Sequence, residues 1–190
     1  MCRVNVCFSG AAEGADQFWG VLALQYGHEL IHWSFGKHSK KNKFIGSEYI
    51  HILSQDELNC ADPYLIKANN KIKRCFPTTS QYVNNLLRRN YFQINNSDSV
   101  YAVCNFDDKG IYGGTAWAIQ MFIDICYENN THKPLYILNQ IDGLWYTYSY
   151  NDNNWYTTDI IPIPSGKWTG IGSRNISDVS RYKMLDLFEK

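Results

Sequence analysis

The sequence predicts an α/β fold, a three-layer parallel sheet with helices on both faces, plus a small β-hairpin. Three stretches of the chain each show a buried strand, a loop of small residues and a helix in that order. Parallel neighbours in a sheet need crossover connections, and helices supply them. At 190 residues the chain is long enough for one sizeable core, so we interpret residues 1–190 as a single domain.

The first of these units lies near the start of the chain. Apolar residues alternate through 4–8, a loop of small residues follows at 9–16, and apolar residues recur at helical spacing through 18–22. Gly27 suits the end of that helix, and alternation through residues 31–35 predicts a second strand. This stretch therefore predicts a strand, a loop, a helix and a further strand.

The middle of the chain is predicted to be mostly helical. Residues 37–53 show no clear period, and we interpret them as a loop. Ser54 begins a capping-box pattern, Asp62 precedes proline as an N-cap would, and one or two helices are expected over 55–74. Ser80 is the expected N-cap of the next helix.

The second half of the chain supplies the other two units. A buried strand is expected over 100–106, followed by the glycine loop at 113–115 and a strongly apolar helix. A short strand is predicted at 134–138, and the Trp- and Tyr-rich stretch 144–159 predicts the hairpin. The last unit is a strand that enters residues 170–174 and a helix after it.

Composition limits the partners. Lys plus Arg and Asp plus Glu are 18 each, so no net field attracts nucleic acid or an anionic membrane. No stretch approaches the roughly 20 apolar residues that span a bilayer, and no signal-peptide pattern is seen. The six cysteines form no CxxC pair and are expected to be reduced. We expect a cytoplasmic protein, in the host cytoplasm if viral, with no membrane partner.

A match to the zinc-peptidase pattern HExxH occurs at residues 28–32. That chemistry needs both histidines on one face of a helix, whereas the flanking pattern here predicts a strand. On a strand the two histidines would be about 13 Å apart, so no metal site is expected. His32 is a candidate either for a hydrogen-bonding group in a ligand cleft or for a histidine on the surface.

No cofactor motif is present either. Residues 165–167 resemble the end of a phosphate loop, but the earlier glycine is missing and Trp168 stands where Ser or Thr would bind magnesium. We therefore expect no cofactor and assign no catalytic residue.

The three glycine loops are the strongest functional signal. The carboxyl ends of parallel strands gather at one edge of a sheet, where α/β proteins bind ligands. Backbone N–H groups at a helix N-terminus favour an anion, and absent side chains let a phosphate approach. The predicted ligand-binding residues are Ser9, Gly10, Ala11, Asp16, His32, Gly113, Gly114, Thr115, Gly172, Ser173 and Arg174.

These same loops carry a resemblance to a known family. The segments CFSGAAEGAD, YGGTAWAIQ and TGIGSRNI resemble the loops of the SLOG superfamily, Rossmann-like proteins that include the LOG phosphoribohydrolases and the DNA-processing protein A group. The GIGSR element comes first in the usual order and last here. The chain therefore resembles a circularly permuted member, of a kind associated with bacteriophages, and HWSFGKH and YVNNLLRRNYFQI resemble the same group.

One departure from the family changes the function that the resemblance implies. LOG hydrolases carry a PGGxGTxxE motif with a catalytic glutamate, whereas residues 113–120 contain no carboxylate and Gln120 cannot titrate. Glu13 and Asp16 are the remaining acidic candidates in the loops, and Asp16 is expected instead to accept backbone N–H groups. The resemblance thus favours binding over hydrolysis.

The implied ligand is a nucleotide or a nucleotide-derived signal similar to cyclic ADP-ribose. Such a protein would sequester an immune signal made by TIR enzymes and act as a phage anti-defence protein. A nucleoside 5′-monophosphate phosphoribohydrolase is the alternative. Single-stranded DNA binding is the second alternative, which the basic residues 37–43 keep open although zero net charge argues against nucleic acid.

The sequence leaves the oligomeric state and several side-chain roles open. Related folds pair into dimers, so a homo-oligomer is an expectation from the resemblance. Arg88 and Arg89 are candidates either for a ligand contact or for solvated partners of a helix dipole. Trp19, Trp117 and Trp168 are candidates either for stacking on a base or for the core.

Overall fold

The computed structural model describes residues 4–39 and 46–189 and is an α/β structure with an eight-stranded central sheet. The strands are β1 (Val6–Ser9), β2 (Glu29–Phe35), β3 (Ile50–Leu53), β4 (Ser99–Cys104), β5 (Phe106–Asp107), β6 (Gly110–Ile111), β7 (Leu135–Asn139), β8 (Trp145–Ser149), β9 (Asn154–Thr157) and β10 (Lys167–Gly172). The helices are α1 (Ala15–Gln25), α2 (Gly36–Ser39), α3 (Gln55–Asn59), α4 (Asp62–Ile72), α5 (Gln81–Asn95), α6 (Thr115–Glu128) and α7 (Asp178–Asp186).

The spatial order of the sheet is β3-β2-β1-β10-β4-β7-β8-β9. The six strands from β3 to β7 are parallel, and β8 and β9 add antiparallel to the β7 edge. The predicted hairpin is therefore confirmed and extends the main sheet, while β5 and β6 form a separate two-stranded sheet. The parallel α/β prediction is confirmed.

Crossover handedness explains why helices cover both faces. The chain passes from β1 through α1 to β2 in one direction along the sheet, and from β4 through α6 to β7 in the other. Right-handed crossovers in opposite directions place their helices on opposite faces. The last strand, β10, lies between β1 and β4, so the turning point of the topology is at the centre of the sheet.

The two faces have separate cores. On one face α1 and α7 pack around Trp19, Trp168 and Tyr101, and on the other α4, α5 and α6 pack around Phe122 and Ile137. Every residue of β4 is buried, as expected for a central parallel strand covered on both sides. Its alternation sends successive side chains to opposite cores.

Two local predictions need correction. The loop predicted over 37–53 contains α2 and the edge strand β3, whose pairing with β2 depends on the neighbouring strand rather than on local pattern; residues 40–45 lie outside the described residues. Asp62 does not cap α4, because it is the first helical residue and its carboxylate binds Arg88. The caps at Ser54 and Ser80 are confirmed.

Candidate functional site

A cleft of about 460 Å³ lies at the carboxyl ends of the central strands. Because β10 pairs with both β1 and β4, the loops that follow these three strands are neighbours. The residues that line the cleft include Glu13, Asp16, Arg89, Asn90, Gly113, Gly114, Thr115, Gly172, Ser173, Arg174 and Asn175. The structure thus brings together parts of all three glycine loops.

The first and third loops are bound to each other. The N–H of Ala15 donates to the carbonyl of Ser173 at 3.0 Å, and the N–H of Gly172 donates to Asp16 Oδ1 at 3.0 Å. The N–H of Ser173 donates to the carbonyl of Val103 at 2.7 Å. These three N–H groups are hydrogen-bonded within the protein, contrary to the expectation that they would be free. Here the two loops stabilise the cleft wall and do not offer these donors to a ligand.

Gly14 shows why this contact needs small residues. Its φ is 94°, a left-handed conformation that glycine adopts freely, and a side chain there would overlap the carbonyls of Ser173 and Arg174. Close packing between the two loops accounts for this glycine without any ligand.

Four predicted ligand-binding residues lie beneath the cleft instead of lining it. Ser9 is fully buried, with its hydroxyl 2.8 Å from the carbonyl oxygen of Gly170. Gly10 is covered by Arg89, which donates to the Gly10 carbonyl. The N–H of Ala11 donates to Nδ1 of the buried His32 at 3.1 Å. The Ser9 hydroxyl, the Gly10 carbonyl and the Ala11 N–H each have a protein partner, and the four residues form the floor that holds the first loop.

His32 is a neutral structural histidine. Burial, together with the positive charge of Arg89, lowers the pKa of His32 to about 3. Its Nδ1 accepts a hydrogen bond, so the proton of the neutral ring is on Nε2, which is buried and has no partner among the described residues.

Arg89 is the site residue that the sequence did not single out from its neighbour. Its guanidinium is 3.2 Å from Asp16 Oδ2, and the two side chains are 5% and 3% exposed. Burial disfavours the charged form of both groups, so it raises the pKa of Asp16 and lowers the pKa of Arg89. The charge of Arg89 opposes the rise in the pKa of Asp16. Arg88 points elsewhere and forms two hydrogen bonds with Asp62.

The second glycine loop supplies free donors at a helix N-terminus. Gly113 has a φ of 71°, and α6 begins directly after Gly114. Arg74 and Asn90 hold the carbonyls of Gly113 and Gly114. Among residues 4–39 and 46–189, none accepts the N–H of Gly114 or Thr115, and these amides lie at the positive end of a 14-residue helix.

Charged side chains complete the rim of the cleft. Arg174 and Glu13 are exposed at its edge, while the carboxylate of Asp16 is bound to Arg89 and to the third loop. The first carboxylate along α6 is Asp124, which pairs with Lys71 at 2.7 Å outside the cleft lining. Only Glu13 therefore offers an exposed carboxylate to this cleft among the residues described.

The aromatic and histidine candidates also have definite places. Trp19 and Trp168 are fully buried, and Trp117 is 9% exposed within the core of the α6 face. His28 lies just before β2 and accepts from Trp168 Nε1 at 3.1 Å, so the two histidines of the HExxH match serve different partners. The strand prediction for this motif is confirmed.

Comparisons with known proteins found no relative. No family model matches the chain, and no curated protein or solved structure matches it significantly. Within the described ranges no three His, Cys, Asp or Glu residues are grouped as a metal would require. Over the same ranges none of the helices has the length and apolar character needed to cross a membrane. The site must therefore be interpreted from its own geometry.

Proposed function

We propose that this chain binds a nucleotide-derived anion of the cyclic ADP-ribose class in the cleft and holds it without hydrolysis. The observation that carries the proposal is the free N-terminus of α6 at Gly114 and Thr115, which faces a cleft that Arg89 and Arg174 also line. Because Arg89 is paired with Asp16, the exposed Arg174 and the helix N-terminus are the groups at this concavity that can hold a phosphate.

Size supports a nucleotide rather than a bare anion. The volume of about 460 Å³ falls within the roughly 300–1,000 Å³ typical of small-molecule sites. Leu86, Leu87 and Tyr82 also line the cleft, so its wall carries apolar and aromatic groups beside the charged ones. Such a mixed lining suits a ligand that has a base or ribose as well as a phosphate.

The carboxylates support binding over cleavage. A general acid or base must exchange a proton with the reacting group, and Asp16 is engaged by Arg89 and the Gly172 N–H. Glu13 is the remaining carboxylate on the rim. In a phage SLOG-like protein, such binding would withdraw a TIR-produced signal from solution as an anti-defence activity.

The test is a binding measurement followed by recovery of the ligand. We expect cyclic ADP-ribose or ADP-ribose to bind in titration calorimetry and to be recovered intact by chromatography after the protein is heat-denatured. If neither compound nor AMP binds, the proposal is wrong. Recovery of free base and ribose phosphate would instead establish the phosphoribohydrolase alternative, and Glu13→Gln would then abolish turnover.

A further inference from the structure

A larger concavity lies outside the cleft, along the side of α6. This groove has a volume of about 1270 Å³ and runs between α6, the β5–β6 hairpin and one face of the β8–β9 hairpin. Its volume exceeds the roughly 300–1,000 Å³ typical of small-molecule sites. The size indicates an extended occupant.

Aromatic rings form the sheet side of the groove. Phe106 contacts Tyr146 and Trp155, with ring centroids 5.4 and 5.7 Å apart, and Trp155 contacts Tyr148 at 5.1 Å. All four rings are partly exposed. Ile119 and Ile123 of α6 supply apolar surface beside them. The groove can therefore accept apolar side chains.

The groove adjoins the open edge of the sheet. In the part of the chain that the structure describes, β9 pairs with β8 and has no second neighbour. Thr158 donates its N–H inward to the Trp145 carbonyl. Because backbone groups alternate along an antiparallel strand, Trp155 and Thr157 direct their N–H and C=O groups outward. The Trp155 N–H meets Asn154 Oδ1, and the Thr157 N–H has no acceptor among the described residues.

The backbone and the side chains at this edge both favour an added β-strand as the occupant. Trp155 lines the groove, and its backbone N–H and C=O face outward. In an added strand, the residue that hydrogen-bonds to Trp155 would have its side chain on the same face of the sheet, which is the groove side. β9 also carries no lysine, arginine or proline, the residues that proteins use to protect an open edge.

Charge favours a basic partner. Residues 141–160 contain Asp142, Asp152 and Asp159 but neither lysine nor arginine. On the opposite wall Lys71 is paired with Asp124, and Arg74 is held by backbone carbonyls. Lys109 is a further exposed cation there, next to two aspartates. Asp142 lines the groove, and Asp152 and Asp159 flank β9 in the sequence, so the charged side chains that the hairpin offers to a strand at this edge are acidic.

We propose that the outer edge of β9 binds an extended basic peptide as an additional strand, with alternate apolar side chains in the groove. Main-chain hydrogen bonds supply affinity in this mode, and the groove selects side chains. The site is separate from the nucleotide cleft and does not depend on its ligand.

The probe is fluorescein-labelled Lys-Val-Lys-Tyr-Lys-Val-Lys-amide, measured by fluorescence anisotropy. We expect Thr157→Pro, which removes an outward N–H and no bond to β8, to weaken binding about tenfold or more. Thr157→Val keeps that N–H and should bind within about twofold of the original protein. Circular dichroism checks that both variants are folded.

Changes in the probe give a test that leaves the protein unaltered. N-methylation of the valine and tyrosine amides should abolish binding, and exchange of lysine for glutamate should weaken it at low salt. Absence of binding, or equal binding by Thr157→Pro and by the methylated probe, overturns the proposal. Dimerisation that Thr157→Pro abolishes in sedimentation would also overturn it, because the occupant would then be a second copy.

Discussion

Arg89 and Asp16 form a buried ion pair that connects helix α5 to the first turn of α1, with Nη1 and Oδ2 separated by 3.2 Å. The same guanidinium donates to the Gly10 carbonyl, and the same carboxylate accepts from Gly172. One pair therefore connects α5 with the first and third loops. The cleft wall depends on this connection.

Arg89→Met should strongly destabilise the protein, because it leaves the Asp16 carboxylate buried without its cation. Breaking a buried pair from one side costs about 3–5 kcal/mol, measurable by urea unfolding. Arg88→Met is the matched comparison: Arg88 is also buried, but its partner Asp62 is 31% exposed and can be solvated, so this variant should lose less stability than Arg89→Met. Equal losses in the two variants would contradict the importance assigned to Arg89.

His32 should make stability fall as pH decreases. Its folded pKa is about 3, below the ordinary value of 6.5, so between these values the unfolded chain binds a proton that the folded protein does not. The free energy of unfolding should therefore decrease with falling pH across this window, by up to about 1.4 kcal/mol per pH unit. Below pH 3 both states are protonated and the decrease ends.

His32→Gln isolates this effect when urea unfolding is compared at pH 7, 5 and 4. His28, whose pKa burial also lowers, contributes with the same sign, and Asp16, whose pKa burial raises, contributes with the opposite sign. Both residues remain in the variant. A slope that is unchanged by His32→Gln would refute the assignment.

Arg174→Gln should weaken the binding of ADP-ribose about tenfold, because a charge-assisted hydrogen bond to phosphate is lost. Arg174 is exposed on the cleft rim, so its removal should leave the melting temperature nearly unchanged. Arg181→Gln is the control, since Arg181 lies over Phe18 outside the cleft lining. Calorimetric affinities that are the same for both variants would remove Arg174 from the site.

Gly170→Ala should destabilise the core on the α1 face. An added Cβ would overlap the ring of Trp19, which is fully buried and cannot move without displacing Trp168. Overpacking of this kind costs about 1–3 kcal/mol in urea unfolding. An unchanged free energy of unfolding in Gly170→Ala would contradict this prediction and show that the ring can shift.

The strand, loop and helix pattern allowed the parallel sheet to be predicted because buried parallel strands and apolar helices have strong local signals. Strand β3 gave no such signal. It is four residues long, includes exposed His51 and Ile52, and exists because β2 presents an open edge beside it. The periodicity of a short segment does not show which strand will pair with it in the folded protein.

The candidate site was predictable in place but not in detail. The glycine loops at residues 9–16, 113–115 and 170–174 meet at one sheet edge, as strand direction requires. Which amides remain free could not be deduced, because the N–H groups of Gly172 and Ser173 are bound by Asp16 of α1 and Val103 of β4.

By itself the sequence determined most of the strands, helices and turns, though not α2, β3 or the β5–β6 pair, because alternation, helical spacing and capping residues act over a few neighbours. Tertiary structure decided the roles of adjacent side chains such as Arg88 and Arg89, one bound to Asp62 and the other to Asp16. One residue along a helix is a rotation of about 100°, so neighbours meet different surroundings. Long-range packing sets those surroundings, and no local pattern encodes them.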